Sequence, residues 1–347
     1  MMKKKARGLF DEQFRLDKIS KQSDPLVKLQ QHIDFEIFRM PLEEHFTAGK
    51  EAALGGRPSF DYLMMFKILI LQRYYNLSDD STEYAILDRL SFMRFLGLTI
   101  SDTVPDAKTI WNFKNELVKA NLVEKMFSLL DKALTKKGVI LHKGKMIDAS
   151  IVEVPIQRNS REENQQLSSG TIPDDWKENP NKLRQKDIDA KWVTHNGKNY
   201  FGYKNHIKAD KQTKLITDYK VTTANIHDSE MITELIDKKD KGQKLYADSA
   251  YRSEEIERAL KKKNIISKIH EKGYRNKPLT KVQRERNRRK SKIRARVEHI
   301  FGFMTNSMNR MYLRCRNFAR TQAAIGLMNI TYNLFRLTQL KVSLQRV

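Results

Sequence analysis

Three acids stand in settings that a carboxylate does not enter without compensation. In KMIDASIVEV, Asp148 interrupts a run that alternates like a strand, with Met146, Asp148, Ser150 and Val152 on one face and Ile147, Ala149 and Ile151 on the other. A carboxylate buried there costs several kcal/mol unless an ion pair or a metal offsets it. In LYADSAY, Asp248 follows a short apolar run in the same manner, just before residues that begin a turn or helix. Ligands of open α/β sheets bind at such strand ends. In RRKSKIRARVEHIFGFM, Glu298 is the lone acid between Lys290 and the end of a helix whose apolar face is Ile293, Val297, Ile300, Phe301 and Met304. Each acid also has a plainer account. Asp148 and Asp248 could cap a strand end or form a turn, and Glu298 could pair with Arg294 one helical turn away, for about 0.3 to 0.5 kcal/mol. Taken together on two strands and a helix, they form an all-oxygen set that suits Mg²⁺ or Mn²⁺. Two such ions about 4 Å apart can activate an attacking oxygen and stabilise a leaving one at phosphorus.

The surrounding bases indicate the substrate. Arg284, Arg286, Arg288, Arg289, Lys290, Lys292, Arg294 and Arg296 lie on the helix of Glu298, and Arg310, Arg314, Arg316 and Arg320 follow. A charge run is commonly a solvated face, but the whole chain carries 66 Lys and Arg against 42 Asp and Glu, a net charge of +24. A field of that size draws polyanions, nucleic acid first among them and an anionic membrane surface as the weaker alternative. With Cys315 as the only cysteine there is no intrachain disulfide and no all-cysteine zinc site. The opening MMKKKARGLFDEQF lacks a signal peptide's apolar stretch, and no later run is long enough to span a bilayer. The expected setting is the cytoplasm, in association with the nucleoid, without a membrane partner.

The elements that must position these residues fall into two parts. Residues 1–140 read as helical: Phe60, Leu63, Met64, Ile68, Leu71 and Tyr75 recur at three- and four-residue spacing as one buried stripe, with breaks at GGRP and at NLSD. Ser78 is placed to cap a helix carrying Tyr84, Leu87 and Leu90. In AKTIWNFKNEL, Ile110, Phe113 and Leu117 share one face, leaving Lys108, Asn112 and Asn115 opposite. That helix is either half of a DNA-reading helix-turn-helix or an ordinary packed helix. Over residues 141–340 the period changes to that of strands: KMIDASIVEV, then NYFGYKNHIKA and KLITDYKVTT about a turn at Asp210–Thr213, helix SEMITELIDKK, strand KLYADSAY, helix SEEIERALKKK, strand IISKIH and a long helix. A polar insertion at about 157–198 is too long for a plain loop and is expected to be mobile or to engage a ligand.

The order of these elements and the set Asp148, Asp248 and Glu298 resemble the ribonuclease H-like core of DDE transposases from bacterial insertion sequences, most closely the insertion-sequence-five type (InsH-like). The resemblance runs through GRPSFDYLMMFKILILQRYYNLSD, VPDAKTIWNFKNEL, MIDASIV, DAKW, YFGYKNHIKAD, ANIHDS, YADSAY and RARVEHIFG. It implies an α+β fold, with a helical N-terminal DNA-binding domain (1–140) before a mixed five-stranded sheet with flanking helices (141–340). It also implies that Asp148, Asp248 and Glu298 bind two Mg²⁺ (or Mn²⁺) ions as the catalytic triad. An activated water would cut each end of the mobile element, and the exposed 3′-hydroxyl would then attack target DNA. The implied partners are the terminal inverted repeats, target DNA and a second copy of the chain. Some relatives carry Tyr-x2-Arg-x3-Glu-x6-Lys around the last acid; here Ser291, Arg294, Glu298 and Thr305 occupy those positions. Arg294 stays a candidate phosphate contact, as do Arg288, Arg289, Lys292 and Arg296. Lys204 is either on the active-site side of its strand or solvated, Asp228 is expected to cap the next helix, and His206, Trp176 and Trp192 are assigned to core or loop. The competing functions are a metal-dependent nuclease or resolvase on the same core, and a non-catalytic DNA-binding protein.

Overall fold

The computed structural model describes residues 8, 10–22, 24–48 and 58–340; positions 55–57 of the expected GGRP break and the basic residues 1–7 lie outside them. The chain divides into two compact units, Met1–Ala133 with Leu334–Val347, and Leu134–Asn333. None of the described helices is long and apolar enough to cross a membrane.

The first unit is helical. Its central helix, Tyr62–Tyr75, starts at Asp61, whose carboxylate accepts the Met64 N–H at 2.7 Å, and ends at Asn76 in the left-handed conformation. The expected single stripe understates its burial. Met65, Phe66, Leu69 and Ile70 are buried as well as Leu63, Ile68 and Leu71, because other helices surround it. Ser78 does cap the next helix, Asp79–Asp88, by accepting the Ser81 N–H at 3.1 Å. Its inward face is Thr82, Ala85 and Ile86, so Tyr84 and Leu87 point outward and Leu90 opens a separate helix, Leu90–Leu96. Helix Ala107–Lys119 buries Ile110, Phe113 and Leu117 as its spacing predicts, and an ion pair joins its Lys114 to Asp79. Lys108 and Asn112 are exposed and Asn115 is half-buried. Residues 97–106 separate this helix from the preceding one, a longer connection than the turn of a helix-turn-helix.

The second unit is built on a mixed sheet: β1 (Lys145–Glu153), β2 (Lys191–His195), β3 (Lys198–Asp210), β4 (Ile216–Thr223), β5 (Lys244–Tyr246) and β6 (Ile266–Ser267). β3 pairs antiparallel with β1, β2 and β4, whereas β5 runs parallel to β1 and β6 parallel to β5. The order β4-β3-β1-β5-β6, three antiparallel strands then two parallel ones, is the ribonuclease H-like arrangement. The sheet has six strands rather than the expected five, because the end of the polar insertion supplies β2. The rest of that insertion folds locally into helices Arg161–Ser168, Asp174–Glu178 and Pro180–Arg184 around Trp176. Trp176 is fully buried, donates its indole N–H to Glu163 at 2.6 Å, and has the Lys186 ammonium 4.8 Å from its ring centroid. Trp192 on β2 is half-exposed.

Helix SEMITELIDKK is broken into a tight turn at Asp228–Met231, one helical turn at Ile232–Leu235 and another turn at Lys238–Asp240. The break has a local and a distant cause: Asp237 accepts the Lys239 N–H at 2.7 Å, and Asp240 turns inward to meet Lys208, far away in the chain, at 2.9 Å. Lys208 is 2% exposed, and Asp237 and Asp218 lie 3.3 and 3.9 Å from its ammonium. Burial works against that charge, but Asp240 above all, then Asp237 and Asp218, hold the lysine's pKa above its ordinary value.

Gly202 sits where β3 faces β1, paired with Glu153, and has φ +153. A Cβ there would lie 2.2 Å from the Val152 carbonyl oxygen, backbone against backbone. Gly202→Ala must therefore move a central strand pair in addition to adopting a backbone conformation that L side chains avoid. A loss of at least about 2 kcal/mol is expected, read as a lower urea midpoint; an unchanged midpoint would mean that the strands part there at no cost.

Candidate active site

Parallel pairing aligns Met146 of β1 with Tyr246 of β5. Two residues further along each strand's path stand Asp148 and Asp248, so the sheet brings both acids to the same end. β5 stops at Tyr246, and Asp248 caps the turn Ser249–Tyr251 by accepting the Ala250 N–H at 2.7 Å. Asp148 stays within β1, where one oxygen accepts the Ala149 N–H at 3.0 Å. Burial pushes the Asp148 carboxyl up to about 6; Arg294 opposes that shift, while the negative charges of Asp248 and Asp228 add to it.

The third acid arrives on helix Lys281–Asn306, which packs over β1 and β5 and buries Val297, Ile300 and Met304. Arg294 extends from this helix between two carboxylates, donating from Nη1 to Asp148 Oδ2 at 3.1 Å and from Nη2 to Glu298 Oε1 at 3.0 Å. The helical ion pair foreseen for Glu298 is thus present, and the same guanidinium is also the compensation that Asp148 requires. Glu298 remains 61% exposed at its side chain. Asp148 and Asp248 are brought together, and Glu298 is linked to them only through Arg294.

The other expected phosphate contacts divide into free and engaged groups. Arg288 and Lys292 are exposed; Arg289 pairs with Glu285 at 2.6 Å, and Arg296 donates to the Lys211 carbonyl at 3.0 Å. Lys204 is not the solvated strand lysine. It is mostly buried, 2.8 Å from Asp228, and donates to the Ile226 carbonyl at 2.7 Å. Asp228 is therefore this lysine's partner and not the helix cap it was expected to be. His227 caps that turn, accepting the Ser229 N–H at 3.3 Å. Both Lys204 and Asp228 border an open cleft of about 690 Å³ that runs along Ala149 and Ser150 to Arg310 and Tyr312. His206 is a core residue, as expected: it is fully buried, meets Thr222 Oγ1 at 2.8 Å, and burial lowers its pKa to about 4.

Oxygen donors, a nearly buried carboxylate that resists ionisation and a second acid beside it suit a divalent cation at Asp148 and Asp248. Among the described residues no three acid, histidine or cysteine side chains are gathered closely enough to hold a metal together. Glu298 is not part of such a group, and one of its oxygens is engaged by Arg294.

Residues 143–334 match the family model described as a transposase DDE domain, more than half of the chain. The chain belongs to this DDE transposase family. Residues 14–116 match a second model, a transposase domain (DUF772), so the helical region of the transposase is covered as well. The cryo-EM structure of the piggyBac transposase synaptic complex with hairpin DNA is similar over 93% of this chain and 77% of that one, at 12% identity and a TM-score of 0.46. The transposase is a DNA-cleaving and strand-transferring enzyme, and its family implies use of a divalent metal.

Proposed function

We propose that Asp148, Asp248 and Glu298 are the catalytic carboxylates of this transposase and hold two Mg²⁺ (or Mn²⁺) ions per active site. The observation that carries the reading is the parallel register of β1 and β5, which sets Asp148 and Asp248 at one sheet end, with the Arg294 guanidinium joining Asp148 to Glu298. When bound, the ions supply positive charge at the attacking and leaving oxygens of the phosphodiester. Arg294 then exchanges its two carboxylates for DNA phosphate, so positive charge passes to the substrate as the acids take up their other partner. Arg288, Arg289, Lys292 and Arg296 continue that phosphate track along the helix. Lys204, held by Asp228 at the cleft, contacts the strand on the other side of the acids.

In this reading residues 1–140 form the DNA-binding domain, with Lys108 and Asn115 on the helix that meets the terminal inverted repeats, and residues 141–340 form the catalytic domain. The enzyme works as a homodimer on double-stranded DNA, since two element ends must be joined to one target, and it acts on the bacterial nucleoid. The insertion-sequence-five type remains the subgroup that its motifs resemble.

The test is strand transfer by the full chain on labelled element-end DNA with Mg²⁺ or Mn²⁺, comparing the parent with Asp248→Ala and Glu298→Ala. Joined products should come from the parent alone. Joining that survives either substitution removes that acid from the triad; cleavage without joining in the parent would indicate a nuclease.

A further inference from the structure

Beyond Asp248 the sheet continues to one more parallel strand, and the chain leaves that strand at a histidine. β5 and β6 pair with Leu245 opposite Ser267. The ladder runs on past β6, where Lys268 donates its N–H to the Leu245 carbonyl at 2.8 Å and His270 donates its own to the Ala247 carbonyl at 3.1 Å. Continued by one residue, this register sets His270 level with Asp248, as the register of β1 and β5 sets Asp248 level with Asp148. Side chains alternate between the two faces of a sheet. Ile147, Ala247 and Ile269 enter the hydrophobic core on one face, so Asp148, Asp248 and His270 share the other. They stand at the ends of three successive chain paths, which in a sheet lie about 4.8 Å apart.

Helix Lys281–Asn306 crosses that second face. Its Arg294 reaches Asp148, and Ser291, one turn earlier, brings its Oγ to 3.4 Å from His270 Nε2. The serine's single hydroxyl proton goes to the Asn287 carbonyl at 2.9 Å, so towards the imidazole this oxygen acts as an acceptor and Nε2 carries the hydrogen. At 3.4 Å that hydrogen bond is long and weak. The donors around it are committed: Lys290 to the Ile269 carbonyl at 2.8 Å, Asn287 to the Glu271 carbonyl at 2.9 Å, and Arg294 to its two carboxylates. His270 is half-buried and keeps a loosely held N–H at the level of the acids.

The geometry points to His270 as a further substrate-contacting residue, whose Nε2–H leaves Ser291 and donates to a non-bridging oxygen of the reacting phosphate. The inference rests on the reading of Asp148 and Asp248 as the reacting centre. A charged phosphate oxygen is a better acceptor than a serine hydroxyl. Its negative charge grows as the attacking oxygen closes on phosphorus, so a donor fixed beforehand at that position favours the transition state over the bound substrate.

The full chain is compared with His270→Ala and His270→Gln in strand transfer at saturating element-end DNA, with oxygen or sulfur at each non-bridging position of the reacting phosphate. His270→Ala should slow transfer about a hundredfold, and His270→Gln, which keeps an N–H donor, should recover part of that. Sulfur is the poorer acceptor, so at the contacted position it should slow the parent more than it slows His270→Ala, whereas at the other position it should affect both alike. Metal-free melting and Mn²⁺ affinity, followed through the electron-spin resonance of free Mn²⁺, should stay at the parent's values. Transfer at the parent's rate by His270→Ala overturns the assignment, and so do sulfur effects equal in the two proteins at both positions. A clear fall in melting temperature would make the histidine structural, and a fall in Mn²⁺ affinity would make it a metal ligand; either result also overturns the assignment. Asp248→Ala is the control for the reading beneath: if it transfers strands as the parent does, that reading fails, independently of the histidine.

Discussion

Asp148→Asn is expected to lower strand transfer by about a hundredfold to ten-thousandfold while leaving the metal-free protein as stable as the parent or more so. The two effects have separate causes. In catalysis, the substitution removes a ligand charge whose electrostatic contribution to the transition state amounts to several kcal/mol. In folding, it removes a carboxylate whose burial already disfavours its ionised form, and Arg294 keeps Glu298 as its partner. Saturating Mg²⁺ should raise the parent's melting temperature, since a ligand at a hundred times its dissociation constant stabilises by about 2.7 kcal/mol. The variant should show little of that rise. Measuring both melting curves with and without Mg²⁺, alongside strand transfer, separates the roles. A variant that transfers strands normally would remove Asp148 from the chemistry, and one that collapses without metal would make it a structural ion-pair residue.

The largest effect on stability is expected at Lys208→Met. The ammonium is enclosed with Asp240, which is 1% exposed, and with Asp237. Methionine conserves much of the volume but leaves Asp240 buried without its counter-charge, and breaking such a pair costs about 3 to 5 kcal/mol. For a unit of this size that corresponds to a fall in melting temperature on the order of 10 °C. The sign with pH follows from the lysine, whose pKa the folded state holds above its ordinary value, so the parent's advantage over the variant is full at neutral pH and is lost as pH rises through the lysine's folded-state pKa. The double substitution Lys208→Met with Asp240→Leu should recover part of the loss, because an apolar pair can replace an ionic one in a core. Equal loss in the single and double variants would mean that the lysine stabilises through its packing rather than its charge.

The parts of the fold readable in advance were those with a strong local period. β1 holds an apolar run, Met146–Val152, broken only by Asp148 and Ser150, β3 and β4 flank a turn in which Asp210 accepts two N–H groups, and the helix of Glu254–Lys262 is capped by Ser253. β2 was missed because its five residues lie in a polar stretch and are largely exposed, so no alternation marks them. The helix expected at SEMITELIDKK has helical spacing throughout, but its last acid, Asp237, and the Asp240 that follows it are drawn to Lys208, some thirty positions earlier in the chain. In the helical unit, Tyr84 and Leu87 carried the apolar signal while Thr82, Ala85 and Ile86 made the contact. Side-chain size did not mark the buried face, since Ile86 is no smaller than Leu87 and Thr82 and Ala85 carry little apolar surface.

The same division holds at the site. The sequence by itself determined the chemical repertoire: three acids in apolar or basic surroundings, the basic helix, and the pairing of Arg294 with Glu298, which helical geometry places within reach. Local order suffices for each, since strand and helix periods are properties of neighbouring residues. Only the tertiary structure decided that Asp148 and Asp248 share one sheet end, that Arg294 reaches Asp148 across 146 positions, and that Lys204 belongs to Asp228. Those relations depend on which strands lie side by side and in which direction. That choice minimises the free energy of the whole buried sheet and its helices, and no short stretch of the chain contains it.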